Sequence, residues 1–92
     1  MSHTIDQKVK LLGRARRIRG QVEAIERAFE QDKDCSMILQ TIAACRGAID
    51  GLMAEVMEGH IRMHVANPNE RPNSERAKAT QVLIDVIKSY LK

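Results

Sequence analysis

One thiol and two imidazoles stand near the two ends of the longest apolar stretch in the chain: Cys35 at its start, His60 and His64 at its close. His60 and His64 are four apart, so on an α-helix both lean over the same turn and can hold one ion. Cys35 cannot join them along a single helix, because a rise of about 1.5 Å per residue puts it roughly 37 Å from His60. At about 100° per residue, however, Cys35 and His60 share nearly one angular position. The three donors meet only when a second copy lies alongside in the opposite direction. The spacing therefore predicts an antiparallel pair of helices with a mixed thiolate and imidazole site at each end.

Two further donors lie at the amino terminus. Removal of Met1 before the small Ser2 leaves a free α-amine next to His3; such an amine titrates at about pH 8 and is a nitrogen ligand once deprotonated. In an arbitrary protein the same residues would be a frayed end. Ser2, His3, Cys35, His60 and His64 are the candidate metal ligands. A nitrogen-rich set with one thiolate suits Ni(II), Co(II) or Zn(II) better than Cu(I), which prefers softer sulfur. No CxxC or HExxH pattern is present, and an interfacial histidine without metal is the competing account of His60. Cys45 falls within the apolar stripe and reads as a small buried side chain. No nucleophile stands with a base and an orienting partner, and no glycine-rich phosphate loop occurs, so an enzyme is not expected.

The element that carries these donors runs from Asp34 to Val65. Ile38, Ile42, Cys45, Ile49, Leu52, Val56 and Met63 recur at threes and fours, the signature of one apolar stripe on a long helix. Asp34 can cap its start, and Asn67-Pro68 marks its end because a residue before proline is pushed out of the α region. A single continuous rod is expected, with Gly47, Gly51 and Gly59 as places of close helix approach. Upstream, Leu11, Ala15, Ile18, Val22, Ile25 and Phe29 define a first helix from Ile5 to about Glu30. A polar turn at 31–34 folds the two into an antiparallel hairpin, which returns residue 3 to the level of His60 and His64. After the loop at 67–73, Asn73 or Ser74 caps a third helix to about Tyr90, whose broad apolar face includes Val82, Leu83, Val86 and Ile87.

Ninety-two residues make one domain, 1–92, whose three helices bury a thin core alone; oligomerisation is the natural remedy. One Phe, one Tyr and no Trp leave little for stacking on single-stranded nucleic acid. Cys35 and Cys45 are about 15 Å apart by helical rise and cannot pair. Two cysteines, no signal peptide and no apolar run long enough to span a bilayer point to a soluble protein of a reducing compartment. The net charge is only +3, but Lys8, Lys10, Arg14, Arg16, Arg17 and Arg19 form a run without an acid. Lys10, Arg14 and Arg17 share one flank of helix 1, and Lys8, Arg16 and Arg19 another. Acids stand four residues away only at the edges of the run, Asp6 from Lys10 and Glu23 from Arg19, so these cations suggest a phosphate-binding surface rather than an ordinary solvated face.

The opening SHT, the run RRIRGQVEAIER, the Cys35 turn, the segment IAACRGAIDGLMAEV and the ending GHIRMHV resemble the CsoR/RcnR family of bacterial transcriptional repressors over nearly the whole chain. The resemblance implies an all-α protomer of three helices without a helix-turn-helix. It further implies dimers built as antiparallel four-helix bundles, paired into tetramers. The family's sensing positions fall on His3, Cys35, His60 and His64, the combination of its nickel- and cobalt-responsive members. Copper-responsive members carry a second cysteine where this chain has His64. The resemblance also assigns DNA contacts to Lys10, Arg14 and Arg17, supported by Lys8, Arg16 and Arg19, and to Arg46. The expected function is a cytoplasmic repressor of a metal-efflux or resistance operon, released from double-stranded operator DNA by Ni(II) or Co(II). Formaldehyde-responsive members offer an alternative in which the terminal amine and Cys35 are crosslinked, although they open on proline where this chain has Ser2. A metal-binding helical adaptor without DNA is a third reading.

Overall fold

The computed structural model describes residues 5–65, 71 and 73–91. It consists of three α-helices, α1 (Ile5–Glu30), α2 (Cys35–His60) and α3 (Glu75–Leu91), with a short π-helical segment, Ile61–Val65, continuing α2. The expected three-helix, all-α protomer is borne out.

Each helix boundary has a local cause. At the end of α1, Asp32 takes a left-handed backbone (φ 51°), Asp32 N–H donates to Phe29 O and Lys33 N–H donates to Ala28 O. That pair of bonds is a Schellman motif, which satisfies carbonyls that the helix end would leave bare. The α2 start is capped by Asp34, whose carboxylate accepts from Met37 N–H at 2.8 Å. Ser74 does the same for α3, its hydroxyl oxygen accepting from Ala77 N–H at 3.0 Å.

The α2 rod departs from the expected continuous α-helix after His60. Ile61 N–H is shared between Glu58 O and Met57 O, and the following residues wind as a π-helical turn. A π turn accommodates one more residue per turn and recurs at functional sites. Here it coincides with tertiary demands on two neighbours: Ile61 is buried, and Arg62 reaches across to Gln81 on α3. The stop signal expected at Asn67-Pro68 lies outside the described residues.

The helix α2 is central, packing on α1 along one side and on α3 along the other, while α1 and α3 do not touch. The resulting slab measures 56 × 26 × 14 Å with a radius of gyration of 17.3 Å. A compact domain of this length would have a radius near 12 Å by the usual scaling, so much of the apolar surface is left uncovered. Only Ala28, Cys45, Ala54, Ile61 and Ile84 form the buried apolar core of the described residues. Cys45 is buried as the stripe predicts. Ile42, Ile49, Met53 and Met57 of α2, and Val82, Leu83, Val86 and Tyr90 of α3, remain exposed.

Two expectations are corrected. A side-chain carbon built on Gly47 meets nothing within 4 Å, so this glycine is not a point of close approach within the chain. A side-chain carbon built on Gly51 would make only an ordinary contact, 3.5 Å from Arg14 Nη1, and Gly59 is buried. Secondly, Cys35–Met63 is long and apolar enough by length and mean hydropathy (1.2) to cross a bilayer, contrary to the reading that no run qualifies. Within this chain little of the segment is buried, and Arg46, Asp50, Glu55, Glu58 and Arg62 interrupt it.

The left-handed aspartate supplies a stability test. Replacing Asp32 by glycine relieves the Cβ penalty of that backbone and should raise stability by roughly 0.5–1 kcal/mol. Asp32→Val should lower it by about the same or more. Urea unfolding followed by helical circular dichroism measures both.

Candidate sensor site and basic face

The elements place Cys35 and His60 as the residue spacing requires. Both are exposed, and they are the first and last residues of one uninterrupted 26-residue helix. They are therefore about 37 Å apart and within about 20° of the same angular position. Among the described residues no three metal-binding side chains cluster in one chain. His64 belongs by its backbone to the π turn, where i→i+5 bonding keeps residues four to five apart on one side. Its side chain, like Ser2 and His3, lies outside the described residues.

The hairpin register can be read from residues near the start of α1. Gln7, Lys10 and Leu11 line a cavity of about 140 Å³ together with Glu55, Glu58, Gly59 and Arg62. The beginning of α1 thus lies against the end of α2, beside the histidine-bearing turn and remote from Cys35.

A polar network fixes that turn to α3. The Glu58 carboxylate accepts from Arg62 Nε at 3.1 Å and pairs with Lys88 Nζ at 2.8 Å. Arg62 Nη2 also donates to Gln81 Oε1 at 3.0 Å, and Gln81 Nε2 donates to Asp85 Oδ1 at 2.9 Å. The Lys88 ammonium, opposed by partial burial and aided by the Arg62 guanidinium, holds the Glu58 carboxyl below its ordinary value of 4.5. Arg62 sits between the two histidine positions, so α3 is clamped to the segment that carries them. Sequence reading missed this network, because Glu58 and Lys88 are thirty residues apart and only Glu58 with Arg62 has helical pair spacing.

On the basic face, Lys8, Arg16, Arg17 and Arg19 are exposed on α1 and Arg46 is exposed on α2. None of these five is ion-paired among the described residues. Lys10 and Arg14 differ. Glu55 Oε1 lies 3.0 Å from Arg14 Nη2 and 3.6 Å from Lys10 Nζ, so the run of cations does meet an acid, one supplied by α2.

The family model described as "metal-sensitive transcriptional repressor" matches residues 7–89. The chain belongs to this family. Its members are transcriptional regulators, and the CsoR/RcnR resemblance read from the sequence is confirmed. The transcriptional repressor RcnR of Citrobacter koseri is 41% identical over 92 residues, covering all of both chains. An uncharacterised protein in the bioA 5′ region of Serratia marcescens is 51% identical, also over the whole of both. Among solved structures, a glutamate-to-histidine variant of the formaldehyde-responsive regulator FrmR from Salmonella enterica serovar Typhimurium is similar. It has a TM-score of 0.69 and 40% identity over 99% of this chain and 100% of that one. Metal- or formaldehyde-responsive repression is the function of this family of proteins.

The Glu58 clamp has a definite pH signature. Because the folded carboxyl is lowered, its contribution is present above the unfolded value and is lost as pH falls through the folded value. Stability should therefore decline on acidification below about pH 4.5, and Glu58→Gln should flatten that limb of the curve. Urea unfolding of both proteins from neutral pH downwards measures the difference.

Proposed function

We propose that this chain is a cytoplasmic repressor that binds double-stranded operator DNA as a homotetramer and lets go when Ni(II) or Co(II) is bound. The observation that carries this reading is the placement of Cys35 and His60 at opposite ends of α2 on one angular position. A second copy laid antiparallel brings the thiol of one chain to the imidazoles of the other. The exposed stripe of Ile42, Ile49, Met53 and Met57 gives that copy an apolar surface to cover. The apolar face of α3 serves for pairing of dimers.

The donors fit such an effector. Cys35 from one chain and His60 and His64 from its partner would hold the ion, with Ser2 and His3 completing the set from the amino terminus. A thiolate among several nitrogens favours Ni(II) or Co(II), with Zn(II) also accommodated. Bound ion ties the amino terminus and both α2 helices together. The Glu58 and Arg62 clamp passes any shift of the histidine turn to α3, which bears on the tetramer. A coupling of about 1–3 kcal/mol per site is typical of such linkage. The DNA-binding face comprises Lys10, Arg14 and Arg17, supported by Lys8, Arg16 and Arg19, together with Arg46. Four copies multiply each phosphate contact, and affinity should fall steeply with salt. With no recognition helix, selectivity rests on DNA shape and deformability. The regulated gene would be a metal-efflux or resistance gene, and the whole of 1–92 acts as one domain.

A second reading is favoured by the similarity to the formaldehyde-responsive FrmR structure. Cys35 is exposed and can take part in a methylene bridge to an α-amine on Ser2. Formaldehyde treatment followed by mass spectrometry separates the readings, since the bridge adds one carbon and links Ser2 to Cys35.

Binding to DNA from upstream of the chain's own gene tests the proposal. Arg14→Ala and Arg17→Ala should each weaken binding by about tenfold or more across a tetramer and reduce its salt dependence. Cys35→Ala should bind DNA normally yet no longer release it on adding Ni(II) or Co(II). Unchanged affinity of the native protein at saturating metal would overturn metal derepression, and unchanged binding by the arginine variants would support a helical adaptor without DNA.

A further inference from the structure

Among the cations of α1 that can reach phosphate, Arg14 and Lys10 alone are engaged by an acid among the described residues, and the acid is the same one. Glu55 reaches them from α2, with its Oε1 3.0 Å from Arg14 Nη2 and 3.6 Å from Lys10 Nζ. Its side chain is 24% exposed, against 38% for Arg14 and 66% for Lys10, so the carboxylate is the recessed member of a surface cluster. Gly51, one helical turn before Glu55, lies beside the Arg14 guanidinium: a Cβ there would stand 3.5 Å from Nη1, an ordinary contact. Arg14 thus reaches α2 while keeping part of its side chain in solvent.

A carboxylate and a phosphate present a guanidinium with the same pair of acceptor oxygens, so one can replace the other. A pair this exposed is weak, which makes the exchange reversible. We propose that Glu55 is an internal competitor for DNA phosphate, occupying Arg14 and Lys10 until a backbone phosphate displaces it. Binding to DNA then replaces an existing ion pair at these two side chains, whereas at Arg16, Arg17 and Arg19 it forms a new one. A duplex that does not bring phosphates squarely to Arg14 leaves the carboxylate in place, so Glu55 holds down affinity for DNA in general and widens the margin for a well-fitting site. This inference rests on the proposed DNA-binding role of the α1 cations.

The experiment measures binding of a mixed-sequence DNA duplex, over a range of salt, by the full-length native protein and by Glu55→Gln, Glu55→Asp, Glu75→Gln, Lys10→Ala/Arg14→Ala and the triple variant adding Glu55→Gln. Circular dichroism and size-exclusion confirm that each keeps the native helix content and assembly. Glu55→Gln should bind about three- to tenfold more tightly than the native protein. Glu55→Asp, which withdraws the carboxylate without altering net charge, should gain a smaller part of this and stands in if the glutamine variant fails to fold. Glu75→Gln, which changes net charge equally but lies on α3, should gain little. The gain should vanish when Lys10 and Arg14 are both alanine. Binding by both Glu55 variants that is unchanged or weaker overturns the proposal, as does an equal gain in Glu75→Gln or one that persists without Lys10 and Arg14. If Lys10→Ala/Arg14→Ala binds as tightly as the native protein, the DNA-binding role of these cations falls and the inference with it. If that variant loses binding while Glu55→Gln gains none, the inference alone falls.

Discussion

A helix 26 residues long is a spacer that cannot fold back on itself, and this fact governs everything else in the molecule. It keeps the Cys35 thiol and the His60 imidazole about 37 Å apart while setting both on one side. It also exposes more apolar surface than two flanking helices can cover. The proposed second chain running the other way would serve the candidate donors and the uncovered stripe together. In that proposed arrangement sensing chemistry and oligomerisation would depend on one surface, so an event at the donors would alter the assembly that presents the basic residues.

The energetics of the single chain point the same way. Five apolar residues form the buried core of the described residues, two of them alanines, so hydrophobic burial within one chain is small beside the cost of ordering three helices. Local devices make up part of the difference: a Schellman turn at Asp32, caps from Asp34 and Ser74, and the Glu58 clamp. Such devices shape the helices and their hairpin. They do not substitute for a core.

What could be read from residues alone divides along the range of the interactions. The start of α2 at Asp34 and of α3 at Ser74 were legible because capping depends on residues three apart, and the periodic apolar positions gave α1 its full extent. The π turn was not legible, because it coincides with burial of Ile61 and with Arg62 reaching Gln81, both consequences of where α3 lies. The pairing of Glu55 with Lys10 and Arg14 spans more than forty residues, so a search for helical i,i+4 partners passes over it. The glycines differ in their surroundings: Gly51 lies beside Arg14, whereas Gly47 faces open space among the described residues. As for the site, donor types and angular register were visible in the sequence. Their proposed meeting would be a property of two chains, which no local pattern encodes.

Subunit complementation is the most direct test of that meeting. One chain carries Cys35→Ala and the other His60→Ala with His64→Ala; each is loaded with Co(II) alone and then after unfolding and refolding the two together, following thiolate-to-metal charge-transfer absorption. In an antiparallel pair the mixed dimer regenerates one complete site, from the thiol of one chain and the imidazoles of the other, so absorption absent from either variant should return in the mixture. Absorption that stays absent after mixing, with mixed dimers demonstrated, would contradict a site shared between chains.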